Sequence, residues 1–406
     1  MLESDEAARR LGVKVTTLYA YVSRGLLVSH PAPEGRKRLF DLGDVERLAR
    51  RSRQGKTVET RMATVTTAVT QLTDDGPVYR GVPATELATS AAFEEVADRL
   101  WWGPAASGGA GSGEPTPSES WTPLNLEPPP ELSPSDRMRW VVVMAGAHDR
   151  LRSDLRPEMV TRVAARVAAT MVEALPWPTP APSIPSGAGL LLPDGRDRPH
   201  ALAARLAARL SPEPGEALVG AVNAALVLMA DHELATSTMA VRVAASTRAD
   251  PYDALLAGLA TLAGPLHGGA SRQAYSLLLE ARHGGAERAL DDTLRWQGVL
   301  PGFGHSVYKR GDARFVVLLA LFEALAPPDD VAMVHALVAL AAEHDIPPPN
   351  VDLALAALAW AAGMPPDAGR TIFTVARVAG WTAHYLEELE ERPLRYRARA
   401  VYAASG

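Results

Sequence analysis

Apolar residues recur every three or four positions along most of the chain. This spacing places them on one face of a helix, and it differs from the strict alternation of a half-buried strand. The pattern predicts helices over 93–103, 136–152, 156–175, 199–210, 215–232, 234–247, 251–263, 270–283, 285–297, 312–326, 329–344, 351–363 and 366–391. We therefore expect the body of the protein to be all-α.

Two kinds of segment interrupt the helical pattern. Residues 66–81 contain two β-prone runs on either side of Asp74-Asp75-Gly76, which predicts a turn between strands. Residues 104–120 and 176–189 are rich in proline, glycine and serine. Such a composition favours disorder or a mobile loop.

The first 50 residues form a separate pattern of short helices and a basic turn. A first helix is predicted to begin at Ser4, whose hydroxyl is suited to cap it, and a second to run from Val15 to about Arg24. The basic turn at 34–38 follows, and a third helix is expected near Asp44.

Charge is distributed unevenly between the start of the chain and the rest. The 406 residues carry a formal net charge of −6. Residues 1–56 contain 12 Lys and Arg against 7 Asp and Glu, a balance of +5, which leaves −11 for the remainder. A small basic region joined to an acidic body indicates that the two parts have different partners.

Composition excludes several classes of site. The chain has no cysteine, which excludes disulfides, thiolate metal sites and cysteine nucleophiles. Its first residues lack the basic and apolar regions of a signal peptide, and no apolar run reaches the roughly 18 residues of a membrane span. We expect a cytoplasmic protein with no membrane partner.

Histidine and aspartate lie beside glycine and proline in four segments. These are ADHE at 230–233, GPLHGGA at 264–270, PGFGHSVYKRGDAR at 301–314 and PPPNVD at 347–352. Glycine beside a histidine removes side-chain bulk, so that backbone and ligand can approach closely. None of these histidines has the spacing of a zinc motif, and no metal site is expected.

The order GPLHGGA, then PGFGHSVYKRGDAR, then NVD resembles the citrate synthase family. The likeness runs from about residue 60 to the C-terminus and includes MADHELATSTMAVRVAASTRADPY at 229–252. The resemblance implies a citrate synthase fold, with a large helical domain over 59–266 and 365–406 and a small helical domain over 267–364. It also implies an active site in the cleft between the domains and a homodimer or higher oligomer.

The resemblance further implies the reaction. Acetyl-CoA would condense with oxaloacetate to give citrate and CoA, and no cofactor beyond these substrates is expected. The methyl group of a thioester is a very weak carbon acid, so a carboxylate must remove its proton while a donor stabilises the carbonyl oxygen. By resemblance, Asp352 is the base, His267 the donor, and His305 the acid that protonates the second carbonyl.

The substrate-binding residues also come from the resemblance. Those for oxaloacetate correspond to His232, Arg314, Arg377 and, from across the dimer, Arg397. Those for CoA correspond to Pro301, Gly302, Phe303 and Gly304. Arginines suit a dicarboxylate because a guanidinium group binds a carboxylate through two parallel hydrogen bonds.

Several neighbours of these residues differ from the family pattern. The chain has Ala235, Ser271, Ser306 and Ala313 where the family has Asn, Asn, Arg and Pro. Such neighbours orient the reacting groups, and small misplacements are costly. Two alternatives therefore stay open: a 2-methylcitrate synthase that uses propionyl-CoA, and a DNA-binding regulator that uses the synthase-like body to sense a metabolite.

The segments EAARRLGVKVTTLYAYVSRGLL and GRKRLFDLGDVERL resemble the helix-turn-helix of MerR and excisionase-type proteins. The resemblance implies a winged helix-turn-helix domain at 1–53 and a linker at 54–58, with the second helix in the major groove and the wing on phosphates. The matching DNA-binding residues are Thr16, Thr17, Tyr19, Arg24, Arg36, Lys37 and Arg38. A trihelical cap that does not touch DNA is the alternative.

Overall fold

In the computed structural model, the chain divides into two units, Met1–Thr66 and Thr67–Gly406. The structure describes residues 2–11, 13, 15, 18, 22, 27, 29–31, 38–45, 65–103, 118–179, 190–191, 197–198, 201–264 and 267–397. The linker expected at 54–58 lies outside these residues.

The first unit combines a three-stranded antiparallel sheet with a short helix. Its labelled elements are β1 (Leu2–Glu3), α1 (Ser4–Leu11), β2 (Ser29–Pro31) and β3 (Arg38–Phe40), and the strand order is β1-β3-β2. The helix predicted at Ser4 is confirmed. Nothing in the sequence pattern predicts β1, because two residues are too few to show a period.

The core of the first unit is made of small and branched apolar side chains. Its buried members among the described residues are Ala7, Ala8, Leu11, Leu18, Leu27, Phe40 and Val45. Leu18 is helical, as the predicted second helix requires. Residues 42–45 are also helical, and the Asp41 carboxylate accepts a hydrogen bond from the backbone N–H of Asp44 at 3.1 Å. Asp41 therefore caps the third helix.

The second unit begins with a small antiparallel sheet of β4 (Thr70–Thr73), β5 (Gly76–Tyr79) and β6 (Val82–Pro83). The turn predicted at 74–76 is confirmed, and Gly76 has a φ of +110°, which favours glycine. Tyr79 is fully buried, and its hydroxyl lies 3.1 Å from the carbonyl oxygen of Val227 and 3.2 Å from that of Leu228. The sheet is thereby attached to the helix end that precedes residue 230.

The rest of the second unit is mainly helical. Its helices are α2 (Ala84–Ser90), α3 (Phe93–Trp102), α4 (Pro134–His148), α5 (Pro157–Glu173), α6 (Leu202–Leu210), α7 (Glu216–Met229), α8 (Thr236–Ser246), α9 (Pro251–Leu262), α10 (Ala270–Gly284), α11 (Ala286–Gln297), α12 (Ala313–Leu325), α13 (Pro328–Glu343), α14 (Val351–Ala361) and α15 (Ala368–Leu389). Two short strands, β7 (Leu190–Leu191) and β8 (Asp197–Arg198), pair with each other. The predicted helices all occur, with ends displaced by a few residues. In the part of the chain that the structure describes, none is long and apolar enough to cross a membrane.

Two features of the second unit differ from the sequence expectation. Helix α2 is not predicted, since seven residues give too little periodicity. The stretch 104–120, expected to be disordered or mobile, ends in a 3-10 helix at Ser118–Trp121, so the expectation is wrong for its last residues. The buried Trp121 ring stacks on Trp101 with centroids 6.0 Å apart, which fixes this turn. Residues 104–117 and 180–189 lie outside the described residues.

Helix α15 lies at the centre of the second unit. It packs against α5, α7, α8 and α9, and its buried residues are distributed around the whole helix. Such a helix belongs in a core, whereas a surface helix has one polar face. A Cβ at Gly380 would lie 2.2 Å from Oδ1 of Asp231, so glycine is required for this close approach. The same helix carries Arg377, whose position is thereby fixed.

Candidate active site

Three aromatic rings meet where the segments 230–233 and 301–314 come together. The ring centroids of His232 and His305 are 5.3 Å apart, and those of His232 and Tyr308 are 5.5 Å apart. The His305 and Tyr308 rings stack at 4.6 Å with an interplanar angle of 19°. Two segments more than 60 residues apart in sequence thus form one site.

His305 has a defined tautomer. Its Nδ1 accepts hydrogen bonds from the backbone N–H groups of Val307 at 3.0 Å and Tyr308 at 3.2 Å. The neutral ring therefore carries its proton on Nε2. Burial lowers the pKa of His305 below its usual value, and the charge of Arg314 lowers it further. Near neutral pH, His305 is consequently a neutral hydrogen-bond donor.

Hydrogen bonds join the segments 301–304 and 348–350 into one clamp. The carbonyl oxygen of Gly302 accepts from the backbone N–H of Asn350 at 2.8 Å, and the N–H of Gly304 donates to the carbonyl of Pro348 at 2.8 Å. The Asn350 side-chain amide donates to the carbonyl of Gly304 at 2.7 Å. Gly302 has a φ of +83°, and a Cβ there would lie 2.8 Å from Cβ of Leu353. Position 302 therefore requires glycine, because any other residue would strain the backbone and clash with Leu353.

The clamp also sets the start of α14, where Asp352 is the second residue. Oδ1 of Asn350 accepts the backbone N–H of Asp352 at 2.9 Å, and so caps the helix. Burial raises the pKa of Asp352 to about 6, although the charge of Arg314 acts in the opposite direction. Asp352 thus has the protonation range of a general base.

His267 precedes α10 and is oriented by a buried hydroxyl. Its Nε2 lies 2.9 Å from Oγ of Ser237, which is fully buried. The His267 ring packs edge-on against Phe373 with centroids 5.8 Å apart, and Cζ of Arg377 lies 4.5 Å from the Phe373 ring centroid. Burial lowers the pKa of His267, and the charge of Arg377 adds to this effect. The ring is therefore neutral near pH 7. When the Ser237 hydroxyl donates to Nε2, the single ring proton lies on Nδ1.

The first of the three predicted arginines is paired with a buried carboxylate. The buried Arg314 donates to Oδ1 of Asp312 at 2.9 Å and to Oδ2 at 2.8 Å. Oδ2 of Asp312 also accepts the backbone N–H of Val351 at 3.0 Å. Burial alone would raise the pKa of Asp312, but Arg314 holds it below the usual value. Cζ of Arg314 lies 5.2 Å from the Tyr308 ring centroid.

The second predicted arginine is only partly paired. Nε of Arg377 donates to the carbonyl of Met229 at 3.0 Å, while its buried Nη1 has no partner in the described part of the chain. Burial lowers the pKa of Arg377 to about 10, and the Asp231 carboxylate opposes this shift. The buried Nε2 of His232 also lacks a described partner. Burial, Arg314 and Arg377 together hold the pKa of His232 well below its usual value.

A buried polar network behind His232 is not indicated by any sequence motif. Oδ2 of Asp231 lies 3.2 Å from Nε2 of His384, and Nδ1 of His384 lies 2.9 Å from Nη1 of Arg242. Nε of Arg242 donates to Glu388 at 3.0 Å, and Glu388 also accepts from Arg395. The network extends from the residue next to His232 to the C-terminal segment. Asp231 and Arg242 lie in the segment 229–252 that carries the family likeness, whereas His384 and Glu388 lie in no segment that carried a sequence signal.

Other predicted residues lie apart from this site or outside the described residues. Arg397 is exposed and makes no hydrogen bond or ion pair with the described residues. Arg38 is exposed on β3, and its guanidinium donates to Oγ of Ser29 at 3.1 Å. The remaining residues expected to contact DNA, which are Thr16, Thr17, Tyr19, Arg24, Arg36 and Lys37, lie outside the described residues. In the described part of the chain, no group of three or more potential ligands is arranged to hold a metal.

Curated relatives of the chain carry two related names. A 2-methylcitrate synthase 2 of Corynebacterium glutamicum is 31% identical over 335 residues, which cover 78% of this chain and 86% of that protein. A citrate synthase 2 of Bacillus subtilis is 36% identical over 195 residues, which cover 47% of this chain and 52% of that protein. The second match thus spans about half of each protein.

Solved structures share the fold. A citrate synthase of Thermotoga maritima matches with a TM-score of 0.65 and 25% identity, covering 85% of this chain and 94% of that one. A citrate synthase of Thermoplasma acidophilum, solved with carboxymethyl coenzyme A and oxaloacetate, matches with a TM-score of 0.63 and 24% identity over 85% of this chain and 95% of that one. At this identity the second likeness establishes the fold alone.

Two family descriptions match consecutive parts of the sequence. Residues 1–53 match the family described as a helix-turn-helix domain. Residues 58–399 match the family described as citrate synthase, C-terminal domain. The chain belongs to the citrate synthase family, and its synthase region follows a helix-turn-helix domain.

Proposed function

We propose that the chain is an acyltransferase that condenses acetyl-CoA with oxaloacetate and releases citrate and CoA. The observation that supports this most directly is the pair of unpartnered buried nitrogens, Nε2 of His232, whose ring meets that of His305, and Nη1 of Arg377, whose charge acts on His232. A buried polar nitrogen without a hydrogen-bond partner is unfavourable. A bound dicarboxylate would provide the missing partner.

The first step is removal of a proton from the methyl group of acetyl-CoA. The Asp352 carboxylate takes this proton, and its raised pKa makes it a better base than an ordinary aspartate. The N–H of His267 donates to the thioester oxygen, on which negative charge develops. The product of this step is the enol or enolate form of the thioester.

The second step forms the carbon–carbon bond. The nucleophilic carbon attacks the keto carbon of oxaloacetate, and the keto oxygen takes the proton that His305 holds on Nε2. His232, Arg314 and Arg377 hold the oxaloacetate, together with Arg397 from a second copy in a homodimer. Water then cleaves the citryl-CoA thioester to give citrate and CoA.

The clamp at 301–304 is the proposed place of CoA. Pro301, Gly302, Phe303 and Gly304 offer a backbone with few bulky side chains, which a nucleotide can approach closely. We assign the large domain to 59–266 and 365–406 and the small domain to 267–364. Closure of the cleft between them would exclude water before proton removal.

Propionyl-CoA is the alternative acyl donor, because relatives named citrate synthase and 2-methylcitrate synthase both match this chain. The test is release of free CoA from oxaloacetate with each acyl-CoA, measured on the wild type and Asp352→Ala. We expect turnover by the wild type and a loss of about 10²–10⁴-fold in the variant. Absence of turnover with both acyl donors would reject the proposal.

We also propose that the first unit binds DNA, which would allow regulation by a metabolite bound to the synthase region. The helix-turn-helix match and the +5 balance of residues 1–56 support this. A gel shift tests this with DNA from upstream of the coding sequence, with and without oxaloacetate. The assay uses salt concentrations typical of the cytoplasm.

Binding should weaken as salt rises, because displaced counterions contribute to affinity. It should also weaken when Arg36, Lys37 and Arg38 are all changed to Ala. A matched control changes Arg9 and Arg10 of α1, which pair with Glu6. Absence of binding at every salt concentration would leave the first unit as a structural appendage.

A further inference from the structure

Tyr308 has a hydroxyl that is buried without a partner inside the candidate active site. The residue is 3% exposed, and its hydroxyl has no hydrogen bond among the described residues. Three other buried tyrosines do have partners. Tyr79 and Tyr385 donate to backbone carbonyls, and Tyr252 donates to Oδ2 of Asp149 at 2.9 Å. Tyr308 is therefore the exception within the described part of the chain.

The position of the Tyr308 ring is well determined by its neighbours. One face stacks on His305, the His232 ring meets it edge-on, and the guanidinium of Arg314 lies 5.2 Å from its centroid. The backbone N–H of Tyr308 also donates to Nδ1 of His305. Packing therefore holds the ring without any contribution from the hydroxyl. Loss of the hydroxyl alone should leave the ring in place.

The surroundings of the hydroxyl favour an anionic acceptor. Burial raises the pKa of Tyr308 to about 12, and the charges of Arg314 and Arg377 act against this rise. The hydroxyl is consequently protonated near neutral pH and lies within the field of two guanidinium groups. Two acids, Asp312 and Glu233, also act on it. Asp312 already accepts from Arg314 and Val351, and no hydrogen bond joins either acid to the hydroxyl in the described part of the chain. A buried hydroxyl in such a field needs an oxygen atom that accepts its hydrogen bond.

We infer that the Tyr308 hydroxyl donates a hydrogen bond to an anionic oxygen of the bound 2-oxo dicarboxylate. The inference rests on the proposed function in so far as that ligand is oxaloacetate. It makes Tyr308 a substrate-binding residue beside His232 and Arg377, each of which has a buried nitrogen without a described partner. The acyl-CoA substrate would not use this hydrogen bond.

The test is Tyr308→Phe, which removes one oxygen atom and keeps the ring. The dissociation constant for oxaloacetate is measured by calorimetry, and the KM values for oxaloacetate and acetyl-CoA by CoA release. We expect the dissociation constant and KM for oxaloacetate to rise about tenfold. The KM for acetyl-CoA should change by less than about twofold, and the melting temperature should stay the same or rise, because an unsatisfied buried group is lost.

Tyr252→Phe is the matched control, because its hydroxyl is bonded to Asp149 away from this site. It should lower the melting temperature and leave both KM values unchanged. Unchanged oxaloacetate affinity in Tyr308→Phe, or an equal rise in both KM values, would overturn the inference while the proposed function stands. A wild type that binds oxaloacetate without releasing CoA would overturn only the proposed function. A wild type that binds no dicarboxylate would overturn both.

Discussion

The two sides of the candidate site differ in how their polar groups are satisfied. The paired side, consisting of His305, Asp312, Arg314 and Asn350, has hydrogen bonds from each of these side chains to protein groups. The unpaired side, consisting of His232 and Arg377, retains a buried nitrogen without a described partner on each residue. Both sides are built from similar chemical groups, so the difference lies in their surroundings.

This difference separates two tasks that a site must perform. Groups on the paired side are held in position before any ligand arrives, and preorganised groups stabilise charge without reorganising during reaction. Groups on the unpaired side carry a desolvation penalty that a bound anion would offset. We therefore expect loss of Arg314 to lower the stability more than loss of Arg377 does, because only Arg314 pairs with a buried carboxylate.

The largest expected effect is on the rate and concerns Asp352, which the paired side holds in place. Asp352→Asn should lower kcat by about 10²–10⁴-fold, because an amide cannot accept the methyl proton. Stopped assays of CoA release measure this. Asp329→Asn is the matched control, since Asp329 is the exposed second residue of α13 as Asp352 is the second residue of α14. Equal rates for the two variants would remove Asp352 from the reaction.

The next effect is on stability and concerns Arg314. Arg314→Met should lower the free energy of unfolding by about 3–5 kcal/mol, because Asp312 would remain buried without its partner. Urea unfolding followed by circular dichroism measures it. Arg272→Met, at an exposed arginine that pairs with Asp367, is the control and should change little. A small loss in Arg314→Met would show that the paired side is not held by this ion pair.

A smaller effect is expected on affinity at Arg377. Arg377→Met removes the guanidinium whose Nη1 has no described partner, so oxaloacetate should bind about 100-fold more weakly. The free energy of unfolding should change far less than in Arg314→Met. Calorimetry and urea unfolding on both variants give the contrast directly. If Arg377→Met were the less stable of the two, the comparison between the sides would fail.

The smallest effect is the pH dependence of the wild type. The base must be ionised, and burial raises the pKa of Asp352 to about 6. Activity should therefore rise as the pH increases through about 6. At one pH unit below the pKa, the rate should be about tenfold lower than the plateau rate. Initial rates between pH 5 and 8 measure the profile. A flat profile over that range would mean that Asp352 titrates elsewhere or does not act as the base.

The sequence predicts the parts of this protein whose signal is local. The helices between 134 and 389 are long and periodic, so their existence follows from spacing alone. The segments 301–314 and 347–352 combine His, Asp, Gly and Pro within a few positions, which marks them as candidates for chemistry. The structure brings His305 close to His232, although no local pattern states which segments meet.

The partners of the functional groups could not be predicted, because they are distant in sequence. Ser237 is 30 residues from His267, and Asp231 is 153 residues from His384. A serine in the first turn of a helix, or a histidine within one, gives no sign of the side chain it will face. The difference between Arg314 and Arg377 is equally hidden, since each is an arginine in a mainly apolar helix until its neighbours are known.

The hydrogen bonds between 302–304 and 348–350 have a mechanical consequence. They fasten the backbone beside His305 to the start of the helix that carries Asp352. A hinge outside 301–353 would carry His305 and Asp352 as one rigid body. The spacing between the two would then be a constant of the protein, and only their distance to the groups on α15 would vary as the molecule moves.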